Sequence, residues 1–192
     1  MRSFVTKLGI LFVSAIFLSS CLSTTTSYNQ NITSRFNNSD FAFLKKKYPM
    51  VLNAKGVPNN DMRTDLIEVM VEKYSGMHRF RHATFASAID FKGQQEITFV
   101  ININPTENTS AWDICSEDIP SLQSISDANS IKSAQFAFCR KDKAWSYITM
   151  KFSQPVKATS SEFKDAIGLA AHSILYKSNN PFNGCGIPAT RC

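Results

Sequence analysis

His78 and His82 stand four residues apart, a spacing that puts two imidazoles on one face of either a helix or a strand. With His172 they could supply three nitrogens to a metal ion. The surrounding residues argue for ordinary histidines instead. No H-E-x-x-H context is present, and Arg79 and Arg81 crowd the pair with positive charge that opposes a divalent cation. Nucleophilic chemistry has no better footing, because the G-x-S-x-G elbow is absent. Glu117-Asp118 and Asp90 offer carboxylates, but adjacency in sequence does not set the separation that acid/base work requires. The 7 glycines of the chain include no phosphate-cradling loop. The expectation is therefore no catalytic set, no metal and no cofactor, with an enzyme the less favoured reading.

The chemistry that the N-terminus does promise is covalent lipidation. Arg2 and Lys7 form a positive start and Leu8 to Leu18 a short apolar run, the layout of a secretory signal rather than a spanning helix. The run ends in Leu18-Ser19-Ser20-Cys21, which resembles the lipobox of bacterial lipoproteins. The resemblance covers only the first tenth or so of the chain, and no domain family is identified beyond it. It implies cleavage before Cys21, a diacylglycerol and an amide-linked acyl chain such as palmitate on that residue, and a permanent membrane tether. Leu22 rather than aspartate after the cysteine resembles the sorting pattern for the outer membrane, in preference to the inner one, with the domain in or beyond the periplasm.

If Cys21 carries lipid, four of the 5 cysteines remain, and an exported chain meets an oxidising compartment. Cys115, Cys139, Cys185 and Cys192 allow three pairings; Cys115 with Cys139 and Cys185 with Cys192 are the favoured ones. Without Arg2 and Lys7, the 21 basic side chains fall to 19 against 15 acidic. That excess lacks the clustering of a nucleic-acid binder, so no nucleic-acid partner is expected.

The elements that must position these residues follow from periodicity. Residues 1 to 20 read as signal, residues 21 to 39 as lipidated cysteine and Ser/Thr/Asn-rich flexible tether, and residues 40 to 192 as one globular domain. A short helix begins at Ser39 or Asp40 with Phe41, Leu44 and Tyr48 on one face, and the Lys45-Lys46-Lys47 run lies on or beside its wet flank, a solvated face with contact to anionic lipid as the alternative. Residues 61 to 74 read as a second helix ended by Gly76, with a strand as the alternative. Residues 79 to 91 and 95 to 103 predict a hairpin around Lys92-Gly93, and a second hairpin pairs 134 to 140 with 145 to 152. Thr159-Ser160-Ser161-Glu162 opens the clearest helix, with Phe163, Ile167, Ala170 and Ile174 on one face. The fold expected is α+β, a small, mostly antiparallel sheet from two hairpins packed by a C-terminal helix and one N-terminal helix.

The 105 to 131 loop, holding Trp112 and Cys115, is the place to expect a partner surface. Phe136, Phe138, Trp145 and Tyr147 alternate as core residues of a sheet do, which leaves Trp112 as the candidate exposed aromatic. The function expected is a non-enzymatic envelope lipoprotein that presents a disulfide-pinned domain to a protein partner, as an accessory to an assembly or secretion apparatus or as a surface interaction factor. The alternatives are a small periplasmic hydrolase or metal-dependent enzyme using His78 and His82, and a lipid-, glycan- or toxin-binding (immunity) module.

Overall fold

The computed structural model describes residues 27–32, 38–57, 59–106, 110, 112–116 and 130–175. In chain order these form β1 (Ser27–Ile32), α1 (Asn38–Lys47), β2 (Met50–Lys55), α2 (Asn60–Ser75), a first 3-10 turn (His78–Phe80), β3 (Phe85–Ser87), β4 (Ile97–Ile103), a second 3-10 turn (Asp113–Cys115), β5 (Ile131–Arg140), β6 (Lys143–Val156) and α3 (Ser161–Ile174). One six-stranded sheet runs in the order β1-β6-β5-β4-β2-β3. Its β1/β6, β5/β6 and β4/β5 pairs are antiparallel, and its β2/β4 and β2/β3 pairs parallel. This is an α+β domain with a mixed, mostly antiparallel sheet flanked by N-terminal and C-terminal helices.

The helices form where their caps and apolar spacing coincide. Asn59 Oδ1 accepts from the Met62 amide at 2.8 Å and opens α2, whose Met62, Leu66, Met70 and Tyr74 are buried. Ser160 Oγ accepts from the Phe163 amide at 3.3 Å and opens α3, so the cap sits one residue beyond the Thr159 expected to supply it. α2 follows β2 and α3 follows β6 through short turns, and both run back along the same sheet face. Lys73–Asp165 (3.1 Å) and Lys164–Glu72 (3.3 Å) bridge them at the surface. At its far end α3 is closed by two donors to its last carbonyls: Ser146 Oγ reaches Ile174 and Arg79 Nη1 reaches Leu175.

Below the helices, Met50 and Leu52 of β2, Ile97, Phe99 and Ile101 of β4, Phe136 and Phe138 of β5, and Ile148 of β6 form one continuous core. Phe99 and Phe138 lie 5.0 Å apart between ring centroids, Phe41 meets Phe138 edge-on at 5.4 Å, and Tyr74 stacks on Phe80 at 5.0 Å. All seven residues of β4 are buried, because it is covered on both faces.

Three expectations are corrected. Residues 79 to 91 and 95 to 103 do not pair: β3 and β4 both run parallel to β2, one on each side of it. The short β2, between Pro49 and Gly56, takes the place that the hairpin reading gave to residues 79 to 91. Within the expected tether, Ser27–Ile32 adds to the sheet as an edge strand on β6, since backbone pairing along an open edge needs no apolar periodicity. Trp145 and Tyr147 do not share a face. The register shift that sets Phe138 opposite Ser146 but Cys139 opposite Ala144 makes Trp145 the extra residue of a bulge, and it turns into the helix-side core.

Gly56 makes the tightest turn. Its φ is +71°, and a Cβ there would lie 2.4 Å from the Ile103 carbonyl oxygen, so only glycine can close β2 against the end of β4.

Burial pushes the Tyr74 hydroxyl well above the usual tyrosine range. Its neutral form stabilises the fold below about pH 10, and that contribution is lost as pH rises and the unfolded chain ionises. Denaturant melts from pH 8 to 11 should show stability falling above about pH 10, and Tyr74→Phe should flatten that fall.

Candidate functional site

The period-2 alternation of the strands sends a second set of side chains to the face away from the helices: Asn53 and Lys55 of β2, Thr98, Val100 and Asn102 of β4, and Ala137 and Cys139 of β5. No helix among the described residues lies there, and part of this face is covered by residues of the connection between β4 and β5. Asn104 gathers the two ends of that loop: its Oδ1 accepts from the Lys132 and Ser133 amides at 2.7 and 3.0 Å, and its Nδ2 donates to the Ser130 carbonyl at 3.0 Å. Farther along, the second 3-10 turn lays Ile114, fully buried, on Val100, Ala137 and Cys139.

Two fasteners hold the turn. Cys115 is disulfide-bonded to Cys139, closing a separation of 24 residues. Lys55 Nζ donates to the carbonyls of Ile114 and Ser116 at 3.0 and 2.5 Å, which satisfies two backbone acceptors at the end of the turn. Trp112 precedes the turn, with its amide donating to Ser110 Oγ at 3.2 Å. Its ring meets Tyr147 edge-on at 4.8 Å while 38% of the residue remains exposed. A rigid support and a half-wet indole therefore lie side by side.

Beside the turn opens a wide cleft of about 700 Å³ lined by Asn53, Lys55, Arg63, Gln94, Thr98 and Lys141, among others. Arg63 Nε is buried without a hydrogen-bond partner among the described residues. Lys141 stands 4.0 Å from Glu96, at the limit of an ion pair. The cleft is polar and positive, unlike the deep apolar pocket that a lipid-binding module would need.

His78 lies exposed on the first 3-10 turn, and His82 lies exposed four residues on in a left-handed conformation (φ 67°). Because this segment is neither helix nor strand, their spacing gives no common face. His172 is exposed on α3. Among the described residues, no three His, Cys, Asp or Glu side chains gather as metal ligands would. Phe136 and Phe138 are core, and Asp90 is exposed in the turn after β3. Cys21, Cys185, Cys192, Glu117 and Asp118 lie outside the described residues. Lys55 and Arg63 were not singled out by sequence. The signal for Lys55 was a lysine closing the apolar run Met50-Val51-Leu52, which places it on a sheet face rather than in a link.

Removing the disulfide with Cys115→Ala/Cys139→Ala should cost about 3 kcal/mol in denaturant melts by the chain-entropy estimate for a loop of this size. Lys55→Met, which removes both hydrogen bonds to the turn, should raise hydrogen exchange at residues 112 to 116 while leaving β4 and β5 protected.

No family model matches the chain, and no curated protein matches it. Among solved structures it is similar to a PelC dodecamer from Paraburkholderia phytofirmans, with 7% identity over 78% of this chain and 94% of that chain, and a TM-score of 0.39.

Proposed function

We propose that this chain is a non-enzymatic lipoprotein of the bacterial cell envelope, anchored through Cys21 at the outer membrane, whose domain docks a protein partner. The observation that carries the reading is Trp112, 38% exposed on a turn that is fastened to the sheet by Cys115–Cys139 and by Lys55. Aromatic side chains held rigidly beforehand are the ones that contribute most at protein interfaces, since little conformational freedom is lost on binding. The lipobox-like residues and the exported-protein use of cysteine support the location. Among the described residues no helix is long and apolar enough to cross a membrane.

Crosslinking in the native envelope followed by pull-down should recover a defined protein. Trp112→Ala should reduce its recovery at least tenfold with the disulfide intact, and Cys21→Ser should reduce it by removing the anchor. Recovery of lipid or polymer alone, or recovery indifferent to Trp112, counts against the docking reading.

A second reading, a module for acidic glycans, is favoured by the cleft lined by Lys55, Arg63 and Lys141 together with Asn53 and Gln94. Calorimetric titration with an acidic oligosaccharide should give binding that Arg63→Ala weakens at least tenfold. Absence of heat with the parent chain removes this reading and leaves the first untouched.

A further inference from the structure

Where α2 and α3 begin, carboxylates sit in the first helical turns, Asp61 and Glu162. At the opposite end α1 finishes in Lys45, Lys46 and Lys47. The first 3-10 turn lies against that end of α1, since Lys45 Nζ donates to the Arg79 carbonyl at 2.6 Å and Phe41 meets Phe80 edge-on at 5.9 Å. Burial, and then the charges of Lys46 and Arg79, hold the Lys45 ammonium below the usual lysine range, so cations crowd here. Arg79 is turned toward the carbonyl that closes α3. Lys46 and Lys47 have no carboxylate at ion-pair distance among the described residues.

Between these lysines and the start of α1 stands Phe43. It is 60% exposed, more than Ile89 or Trp112, and Lys47 Nζ lies 5.7 Å from its ring centroid. Helical spacing puts Phe43, Lys46 and Lys47 on one flank of α1, opposite Phe41 and Leu44, which are buried. An apolar ring flanked by cations fits a bilayer interface: the ring enters the boundary between headgroups and acyl chains, and the ammonium groups stay at the phosphates. An acidic polymer would answer the lysines and leave the ring in water.

We propose that Phe43, Lys46 and Lys47 dock this end of the domain on an anionic phospholipid surface. The contact is separate from the lipid anchor and does not depend on it. β1 runs toward this end, with Ser27 opposite Lys151 and Ile32 opposite Ser146, so the chain enters the sheet at the far end. From Cys21 to Ser27 an extended chain spans roughly 20 Å, shorter than the stretch of β6 from Lys151, level with Ser27, to Lys143, level with Met50, so the anchoring bilayer is the docked one only when the domain lies along it. An opposing bilayer is equally within the geometry.

The test uses the full chain reconstituted in vesicles of phosphatidylcholine alone or with one-third phosphatidylglycerol. Phe43→Trp supplies a reporter at an exposed position, and the parent chain supplies the background of Trp112 and Trp145. Brominated acyl chains should quench the added emission at least twofold in anionic vesicles, with little effect in zwitterionic ones. Lys46→Gln/Lys47→Gln, or high salt, should abolish the difference. Bromines placed in the protein-bearing vesicles or in a second population tell an anchoring bilayer from an opposing one, and quenching in either supports docking. Equal quenching in both lipids overturns it. So does an unquenched ring in both populations, including the case in which soluble polyphosphate binds the chain through the same lysines.

Discussion

The second face of the sheet has to be covered, and everything outside the helix-side core follows from how that is done. β4 and β5 are central strands, and their Val100, Ala137 and Cys139 face away from the helices. Left in water, these positions would give up part of the burial that holds a small domain together, on the order of 25 cal/mol for each Å² of apolar surface. Among the described residues no helix lies on that side, and a 3-10 turn with one isoleucine covers the patch. A turn that short cannot hold itself in place by apolar contact alone. The disulfide to Cys139 and the two hydrogen bonds from Lys55 do it, one limiting the freedom of the unfolded chain and the other donating to carbonyls at the end of the turn.

The helix-side core answers to a different rule. Its aromatic residues are laid down by strand alternation and by the apolar faces of α2 and α3, and the helix ends are closed by side chains from neighbouring elements. Because α2 and α3 start at the same end of the sheet, their dipoles point the same way. The carboxylates at their starts complement that arrangement, and Arg79 does so at the finish of α3. Lys46 and Lys47 stand in the last turn of α1, where their charge complements that helix's own dipole.

Much of this was legible in the residues. α1 and α2 announce themselves by periodic spacing and α3 also by its cap, and the β5/β6 hairpin by two apolar-aromatic runs around Lys141-Asp142. Trp112 could be picked as exposed because it falls in an irregular loop. What misled was short-range punctuation. Lys92-Gly93 reads as a hairpin turn, yet the strand that pairs with β4 on that side is β2, some forty residues earlier, brought there by a crossover through α2. A three-residue β3 carries almost no periodic signal. The bulge at Trp145 is invisible to any rule of alternation, because it is a property of the pairing and not of the strand. The cleft likewise combines side chains from β2, α2, β4 and the turn between β5 and β6, and only the assembled topology brings them together.

Asn104 sits where the loop leaves β4, and it binds the backbone where the loop returns to β5. The two ends of residues 105 to 130 are therefore fixed next to each other whatever lies between them. For a loop closed in this way, doubling its length costs only about 0.6 kcal/mol in closure entropy. Segments can be inserted or exchanged between the knot at Asn104 and the return strand without disturbing the core, provided that the Ile114–Cys115 turn is kept. The closure of this loop is thus set by Asn104 and the backbone it binds rather than by the length of chain between them.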